Sequence, residues 1–454
     1  MEDMTGMLTP KERDLACEAL DIALSLGADK ARVTLNKSLM DLYGTLDGEL
    51  DKVSHCLDRS LGVSLFVDGR FGTFSTNRLD RTQLRSFLKE SAEVVRMLAP
   101  DPCRDLPDPS RTEKGATAGD ELGLVDPEYS RMTPDRRLSL ALEASVTGKY
   151  RSEGLISEEG ELSDSVFDTM IVDTNGLNCR HTETSFEYGV EMTVLGTEGE
   201  KISGYWWDAA PRLDDLKIKG CGDIAFRRAT ARFNPRTVPS GRYSMVVDNE
   251  CSTKLVTPLL NALGAYSLQQ KNSFMMDSLD KKLFPDWMTI EDRPRSVGET
   301  GGRLFDSEGV AALQVPVIER GVVKEYFVNT YMAAKMGIAP TVEDVTRPAL
   351  LPGHDPSSQL KSYDMEGILE MMGDGILVTG FNGGNSNTAT GDFSFGVEGF
   401  LFKDGKIVHP VREMLVTGNL LTLWNNLAAS GDDYRLCKSK LIPTLAFRNV
   451  DFSA

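Results

Sequence analysis

The spacing of apolar residues predicts a helix and a β-hairpin near the start of the chain. Residues 9–12 form a capping box with proline at the first helical position, and apolar side chains then recur on one helical face. Residues 31–35 alternate between apolar and polar, as a half-buried strand does. Residues 63–72 alternate around Asp68-Gly69, which predicts a hairpin with a two-residue turn.

Further helices and strands are predicted as far as residue 233. A second amphipathic helix begins near Asp80 and ends before Pro100, and a third begins at residues 133–135. Between them, residues 101–131 are rich in proline, glycine and charge, which indicates a loop or a long crossover. The remaining signals are alternating strands over residues 162–195, with a turn at residues 175–176, and helical spacing over residues 216–233.

A break containing proline and glycine at residues 235–241 predicts the main domain boundary. The C-terminal part shows one obvious helix, residues 252–268, and otherwise the regular glycines that short strands and turns require. The predicted fold class is α+β, with an N-terminal α/β domain of sheet and packing helices followed by a β-rich C-terminal domain. These domains comprise residues 1–237, including the loop or crossover near 101–131, and residues 238–454.

Composition adds expectations about location and partners. The chain has 454 residues, of which 41% are hydrophobic, and this suits two or three cores. No uncharged apolar run reaches the ~18 residues of a membrane span, and the start is acidic and polar, unlike a signal peptide. We therefore expect a cytoplasmic protein with no membrane contact.

The net charge argues against nucleic-acid-binding proteins, and the cysteine spacing argues against disulfide-bonded proteins. Lys and Arg number 50 against 68 Asp and Glu, and the formal net charge of −18 repels phosphate backbones. Direct nucleic-acid binding is therefore not expected. The seven cysteines are scattered and never spaced as CxxC, as is typical of reduced thiols.

Common catalytic motifs are missing from the sequence. The four histidines show no HExxH or HExxxH spacing, so no zinc site on one helix face is predicted, and each is expected to be a surface or hydrogen-bonded residue. There is no GxSxG elbow, and the glycine-rich residues 380–385 lack the GK[ST] of a P-loop. These glycines fit turns with positive φ, or alternatively the close approach of a ligand backbone. The acids at residues 291–292 and 306–309 fit turn caps, or alternatively acid/base or metal groups.

The order of the C-terminal segments resembles the TldD/PmbA family. Residues 273–275 resemble its "SF" motif, residues 305–310 its "fDdEGv" motif, and residues 380–385 its most recognisable block. Other segments follow in family order, more loosely in the N-terminal half: residues 61–63, 68–72, 175–177, 289–292, 316–326, 330–335, 390–400, 404–411 and 417–420. The resemblance therefore covers almost the whole chain.

The resemblance implies pairing of a TldD chain with a PmbA/TldE chain. In the TldD partner, the first helix of the C-terminal domain carries HExxxH and a zinc ion that cleaves unfolded or extended peptides. The corresponding residues here, 252–265, contain no histidine and no glutamate. The resemblance thus implies a PmbA/TldE-type subunit that is not catalytic alone, with no catalytic or metal-ligating residue and no cofactor in this chain, and with zinc in its TldD-type partner.

The resemblance also implies a substrate class and candidate residues. An extended peptide, unfolded or modified as in microcin maturation or antitoxin turnover, would add to a sheet edge by main-chain hydrogen bonds. An isolated subunit would form a homodimer, since an apolar partner-facing surface tends not to stay exposed. The loop expected to contact a peptide or to serve as framework comprises Gly380, Asn382, Gly383, Gly384, Gly391, Asp392, Phe393 and Ser394. The family-motif acids are Asp306 and Glu308.

Two alternatives remain at this point. The chain could be an autonomous metallopeptidase with ligands gathered from distant positions such as His354, His409 and Asp392. It could instead be a regulatory binding protein of the gyrase pathway without a peptidase role, because the family often carries the label "modulator of DNA gyrase". The acidic balance disfavours DNA as its ligand, and turnover of gyrase-targeting peptides would explain the label equally well.

Overall fold

A six-stranded antiparallel sheet forms the first half of the structure. The computed structural model describes residues 6–197 and 199–454. Residues 1–5, which belong to the acidic start and to the predicted first domain, lie outside the described residues. The strands are β1 (Lys30–Leu46), β2 (Glu49–Val67), β3 (Arg70–Thr76), β4 (Leu155–Asp173), β5 (Asn178–Leu195) and β6 (Lys201–Ala210). They lie in the order β3-β2-β1-β4-β5-β6.

Helices cover the apolar parts of this sheet. They are α1 (Pro10–Ser25), α2 (Arg81–Val95), α3 (Pro134–Glu143), α4 (Thr147–Tyr150) and α5 (Cys221–Thr230). The predicted capping box of α1 is confirmed, since the Thr9 hydroxyl accepts from the Glu12 amide at 3.2 Å and the Glu12 carboxylate accepts from the Thr9 amide at 2.8 Å. The α1–α2 layer and the sheet share one apolar core. Burial of its apolar surface stabilises the fold by about 25 cal/mol per Å².

Most N-terminal predictions are confirmed. Asp68 and Gly69 form the two-residue turn between β2 and β3 with φ of 49° and 71°, as a primed hairpin turn requires. The segment 101–131 is a loop up to a short 3₁₀ turn at Tyr129–Arg131. The predicted helix over residues 216–233 is too long, because α5 begins at Cys221. Gly220 has a φ of 92°, which an α-helix does not accommodate.

The second half contains a seven-stranded sheet, a small four-stranded sheet and short helices. The larger sheet comprises β7 (Gly241–Val247), β12 (Gly353–His354), β13 (Gly375–Ser386), β14 (Asp392–Lys403), β15 (Lys406–Asn419), β16 (Leu427–Ser430) and β17 (Leu445–Ser453). The smaller sheet comprises β8 (Ile290–Asp292), β9 (Val315–Glu319), β10 (Val322–Val323) and β11 (Pro348–Leu350). The helices are α6 (Thr253–Ala262), α7 (Ala265–Gln269), α8 (Thr330–Met336), α9 (Met365–Met372) and α10 (Leu420–Asn425).

The larger sheet closes on itself. β7 pairs in parallel with β13 on one side and antiparallel with β17 on the other, so that β7, β13, β14, β15 and β17 form a barrel. Its core includes the buried side of α6 and the fully buried Trp424, whose ring meets Phe447 edge-on at 5.5 Å. The barrel places one end of β13 and β14 beside α6.

Two C-terminal predictions are wrong in detail. The predicted helix over residues 252–268 is two helices, α6 and α7, which are separated at Gly264 with its extended backbone. The strands are not all short, since β13 and β14 have 12 residues each and β15 has 14. The α+β class is confirmed, and the proposed boundary at residues 237/238 falls in the segment between α5 and β7. No helix among the described residues has the length and apolarity to cross a membrane.

Candidate functional site

The candidate glycine-rich residues belong to the hairpin of β13 and β14, not to one loop: residues 380–384 lie in β13, residues 392–394 lie in β14, and Gly391 lies in the turn between them. The expected positive φ is absent at Gly380. The two strands are antiparallel, and their register shifts between Asn382 and Asn385. Gly383 and Gly384 therefore form a bulge opposite Phe395, with φ of 62° and 79°. Both backbones lie in the left-handed region that favours glycine.

The glycines of this hairpin have different surroundings. A Cβ on Gly384 would lie 2.0 Å from the carbonyl oxygen of Ser394, so the contact between the two strands requires glycine there. A Cβ on Gly383 would meet nothing within 4 Å, and one on Gly380 would meet the Glu398 side chain at 3.5 Å. Gly384 thus has a structural reason to be glycine, whereas Gly383 leaves space that a ligand backbone can approach.

Asp392 stabilises the turn that joins the strands. Its carboxylate accepts from the Thr390 hydroxyl at 2.8 Å and from the Asn419 amide nitrogen at 3.0 Å. These hydrogen bonds, first that of Asn419, lower the pKa of Asp392. Gly391, with a φ of 80°, donates its amide to the Asn387 carbonyl at 2.7 Å. Asp392 is an ionised turn residue that faces solvent.

Aromatic residues fix the base of the hairpin. Phe393 is buried and stacks on Phe395 at 5.4 Å, whereas Ser394 between them faces solvent. The motif at residues 273–275 also meets this turn, because the Phe274 amide donates to the Thr388 carbonyl at 2.8 Å. The structure therefore brings together two segments that the sequence placed in one family series.

A groove lies between the hairpin and α6. It has a volume of about 490 Å³. Its lining on the helix side is Thr253, Lys254, Thr257 and Pro258, preceded by Glu250 and Cys251, and on the strand side Phe381, Asn385, Ser386 and Phe395. The Lys254 ammonium lies 5.0 Å from the centre of the Phe395 ring, a cation–π contact at the groove wall.

The motif acids Asp306 and Glu308 hold a different loop together. Asp306 accepts backbone amides from Glu308 and Val310 at 2.9 Å and from Glu343 at 3.0 Å. Burial raises the pKa of Asp306 to about 6, against the lowering effect of these amides. Glu308 accepts from both the amide and the hydroxyl of Thr330, at 2.8 and 2.7 Å. Both acids act as local anchors in this structure.

A second, larger cavity was not anticipated from the sequence. It has a volume of about 810 Å³ and lies between the six-stranded sheet, α5 and the barrel. Its ionic lining includes Arg228, which donates to the Asp248 carboxylate at 3.3 Å, and Arg232, which contacts Glu398 at 2.8 Å. Burial raises the pKa of Asp248, and Arg228 opposes that rise. The Arg227-Arg228 pair on α5 is the one sequence signal that points toward this cavity.

The histidines are separated and individually hydrogen-bonded. Their partners are Asp41 for His55, Glu183 for His181, Tyr363 for His354, and the Pro410 carbonyl for His409. His409 is opposite Leu401 in the β14–β15 register, nine positions along β14 from Asp392, or roughly 30 Å at ~3.3 Å per residue. These two residues cannot share a metal ion. In the described ranges no group of three or more His, Cys, Asp or Glu side chains is placed to hold one.

Comparisons with known proteins cover nearly the entire chain. The PmbA/TldA metallopeptidase C-terminal domain model matches residues 240–454, and the corresponding central-domain model matches residues 127–233. Metalloprotease PmbA of Escherichia coli O157:H7 is 27% identical over 450 residues, which is 96% of each chain. The Haemophilus influenzae homologue is 26% identical over 95% of this chain and 94% of its own.

Solved structures show the same fold. A Bacteroides thetaiotaomicron protein described as a candidate modulator of DNA gyrase is 38% identical, with a TM-score of 0.93 over 99% of this chain and 100% of its own. TldE from Thermococcus kodakarensis superposes with a TM-score of 0.80 over 97% of this chain and 100% of its own. Its identity of 16% makes this a likeness of fold.

Proposed function

Since the chain belongs to the PmbA/TldD metallopeptidase family, we propose that it is the PmbA/TldE-type subunit of a two-chain zinc peptidase. In this proposal a TldD-type partner supplies the zinc ion and the cleavage chemistry. The present chain contributes a groove that holds an extended peptide. Its substrates are unfolded or modified peptides, as in microcin maturation or antitoxin turnover.

The observation that carries this proposal is the chemistry of α6. A peptidase zinc needs imidazole or carboxylate ligands and a general base. The groove side of α6 presents Thr253, Lys254, Thr257 and Pro258 instead. The Lys254 ammonium would repel a cation, and the nearby Glu250 is engaged by Arg435 and by Lys438 at 3.4 Å. The residues present do not fit a zinc ion, so no step of hydrolysis is assigned to this chain.

The strand side of the groove supports a role in peptide binding. β7 pairs with residues 375–378 of β13, and no other strand of the described residues pairs with that edge of β13 beyond them. The free part includes Phe381, Asn385 and Ser386, which line the groove. Unpaired amides and carbonyls can bind an extended peptide as an added strand with little sequence specificity.

We further propose a cytoplasmic setting and an indirect relation to gyrase. All seven cysteines are free and two, Cys17 and Cys56, are exposed, as suits a reducing compartment. The gyrase label belongs to the Bacteroides thetaiotaomicron relative. With a net charge of −18, peptide turnover accounts for that label better than contact with DNA.

Co-expression with the TldD-type chain of the same organism tests the proposal. Cleavage of an unstructured reporter peptide is measured for the zinc-loaded partner alone, with this chain, and with its Lys254→Trp variant, which fills the groove from an exposed position. We expect cleavage to require this chain and to be slower with the variant. Lys361→Asp, an exposed change outside the groove lining, is the control. A partner that cleaves equally well without this chain would overturn the proposal.

A further inference from the structure

The first half of β2 is an exposed strand with an unpaired edge. β1 pairs with β2 along its length, whereas β3 pairs with residues 61–67. No strand within the described parts of the chain pairs with the outer edge of residues 49–60. Residues 49–59 are all exposed, including Val53 at 53% and Leu57 at 41%. A long exposed edge of this kind is a template for another strand.

The register shows which backbone groups face this edge. Val67 and Arg70 flank a two-residue turn, so they exchange backbone hydrogen bonds between β2 and β3. β2 has no register shift from residue 53 to residue 67. Alternation therefore turns the amides and carbonyls of Val53, His55 and Leu57 toward the outer edge as well.

We propose that two copies of this chain pair antiparallel through β2, about a two-fold axis at His55. The pairs that face one another across this axis are His55 with itself, Val53 with Leu57, and Lys52 with Asp58. Each apolar residue then meets an apolar residue, and each lysine meets an aspartate. The bulge residue Asp51 comes near Arg59, again with opposite charge. The two six-stranded sheets join into one continuous sheet.

The neighbouring registers lack this complementarity. A two-fold axis can pass through a hydrogen-bonded or a non-hydrogen-bonded pair, so the nearest alternatives centre on Ser54 and Cys56, and the next on Val53 and Leu57. A centre at Ser54 places Lys52 opposite Cys56, and a centre at Cys56 places Val53 opposite Arg59. A centre at Val53 places Leu57 opposite Glu49. A centre at Leu57 places Val53 opposite residue 61, where β3 already occupies the edge. Among these five centres, the axis at His55 is the one that pairs Val53 with Leu57 and Lys52 with Asp58.

The outward hydrogen bonds and side-chain pairs act together. Cross-strand apolar and opposite-charge pairs each stabilise an antiparallel pairing, and each pair occurs twice about the axis. Lys52 contacts Glu161 within its own chain at 3.0 Å, with 57% of its side chain exposed, so its ammonium remains near enough to the edge to meet a second carboxylate.

A charge exchange tests the register. Lys52→Asp and Asp58→Lys should each weaken self-association of the full chain by at least about tenfold, measured by sedimentation equilibrium. The double variant should restore it, because residue 52 of one copy faces residue 58 of the other. Lys361→Asp removes a comparable exposed lysine–glutamate contact, with Glu370, and should leave association unchanged. Failure of the double variant to recover, with circular dichroism showing it folded, would overturn the register.

Disulfide trapping provides a second, independent measurement. In a Cys56→Ser background, His55→Cys places two cysteines on opposite sides of the axis, about 5.5 Å apart between Cα atoms, and should form a covalent dimer on mild oxidation. Val53→Cys in the same background should not, because it faces position 57. The proposal would be overturned if the wild-type chain is monomeric at tens of micromolar. It would also be overturned if β2 variants lose binding to a TldD-type partner while self-association persists.

Discussion

Gly383 and Gly384 have similar backbone angles but different surroundings in the β13–β14 hairpin. Both have positive φ, which costs an alanine roughly 1–2 kcal/mol. At Gly384 the added Cβ also overlaps the Ser394 carbonyl, whereas at Gly383 it enters open space. We expect Gly384→Ala to lower the free energy of unfolding by about 2 kcal/mol more than Gly383→Ala, measured by urea denaturation. Equal losses would show that the strands can separate at this bulge.

Asp306 gives the loop at residues 306–310 a pH-dependent stability. Its folded pKa of about 6 lies above the unfolded value of 3.8, so the folded state takes up the proton first as the pH falls. The contribution of this carboxyl to stability therefore increases from pH 7 to pH 5. Between pH 7 and pH 5 the free energy of unfolding of the wild type should rise by about 1 kcal/mol relative to that of Asp306→Asn, measured by urea titrations. If the difference in unfolding free energy between wild type and Asp306→Asn did not change with pH, the three amides would be keeping the Asp306 carboxylate ionised.

At the scale of elements, features specified by neighbouring residues could be predicted from the sequence, whereas features that depend on distant residues could not. The α1 capping box and the Asp68-Gly69 turn depend on neighbouring residues, so the sequence predicts them. The helices α8 to α10 have at most eight residues each, too few to repeat an apolar period, and were not predicted. Closure of the barrel pairs β7 with β17, two hundred positions later, which no local pattern encodes.

The candidate site likewise has a part that could be predicted from the sequence and parts that could not. The glycine-rich residues were recognised as a candidate because they are contiguous and resemble a family block, although residues 380–384 form part of strand β13 instead of the expected turn. The groove was not predicted, because Lys254 on α6 and Phe381 on β13 meet only when the barrel forms. The large cavity draws its lining from both halves of the chain, so its position could not be predicted from spacing.

Helix α3 is fixed to the sheet by a buried ion cluster. Arg137 donates to both carboxylate oxygens of Asp164, at 2.6 and 2.7 Å, and lies 3.2 Å from Asp41. Arg137→Met leaves the Asp164 carboxylate without its cation and leaves Asp41 with His55 alone, and should lower the free energy of unfolding by about 3–5 kcal/mol in urea. The exposed Arg136→Met on the same helix should change it by less than about 0.5 kcal/mol. A similar loss for both variants would locate the effect in the helix rather than the cluster.

At the scale of the whole molecule, one arginine contacts both halves at several points. Arg435, which follows β16, contacts Glu250 before α6 as well as the Trp207 carbonyl and Asp208 of β6. Its guanidinium also lies over the rings of Trp206 at 4.3 Å and Trp207 at 5.1 Å. The side chain is 13% exposed, so these contacts are largely shielded from solvent. This guanidinium therefore links the six-stranded sheet to the barrel, beside the ion pairs that Arg228 and Arg232 make with Asp248 and Glu398.

Loss of this contact should reduce the cooperativity between the halves. Each half has its own apolar core, so each can melt separately once the link is weakened. We expect Arg435→Met to lower the first melting temperature in calorimetry and to broaden or split the single transition. Arg242→Met, which removes an exposed ion pair with Asp451 within the barrel, should leave one sharp transition. A single, uniformly shifted peak for Arg435→Met would mean that the interface around the large cavity couples the halves without this residue.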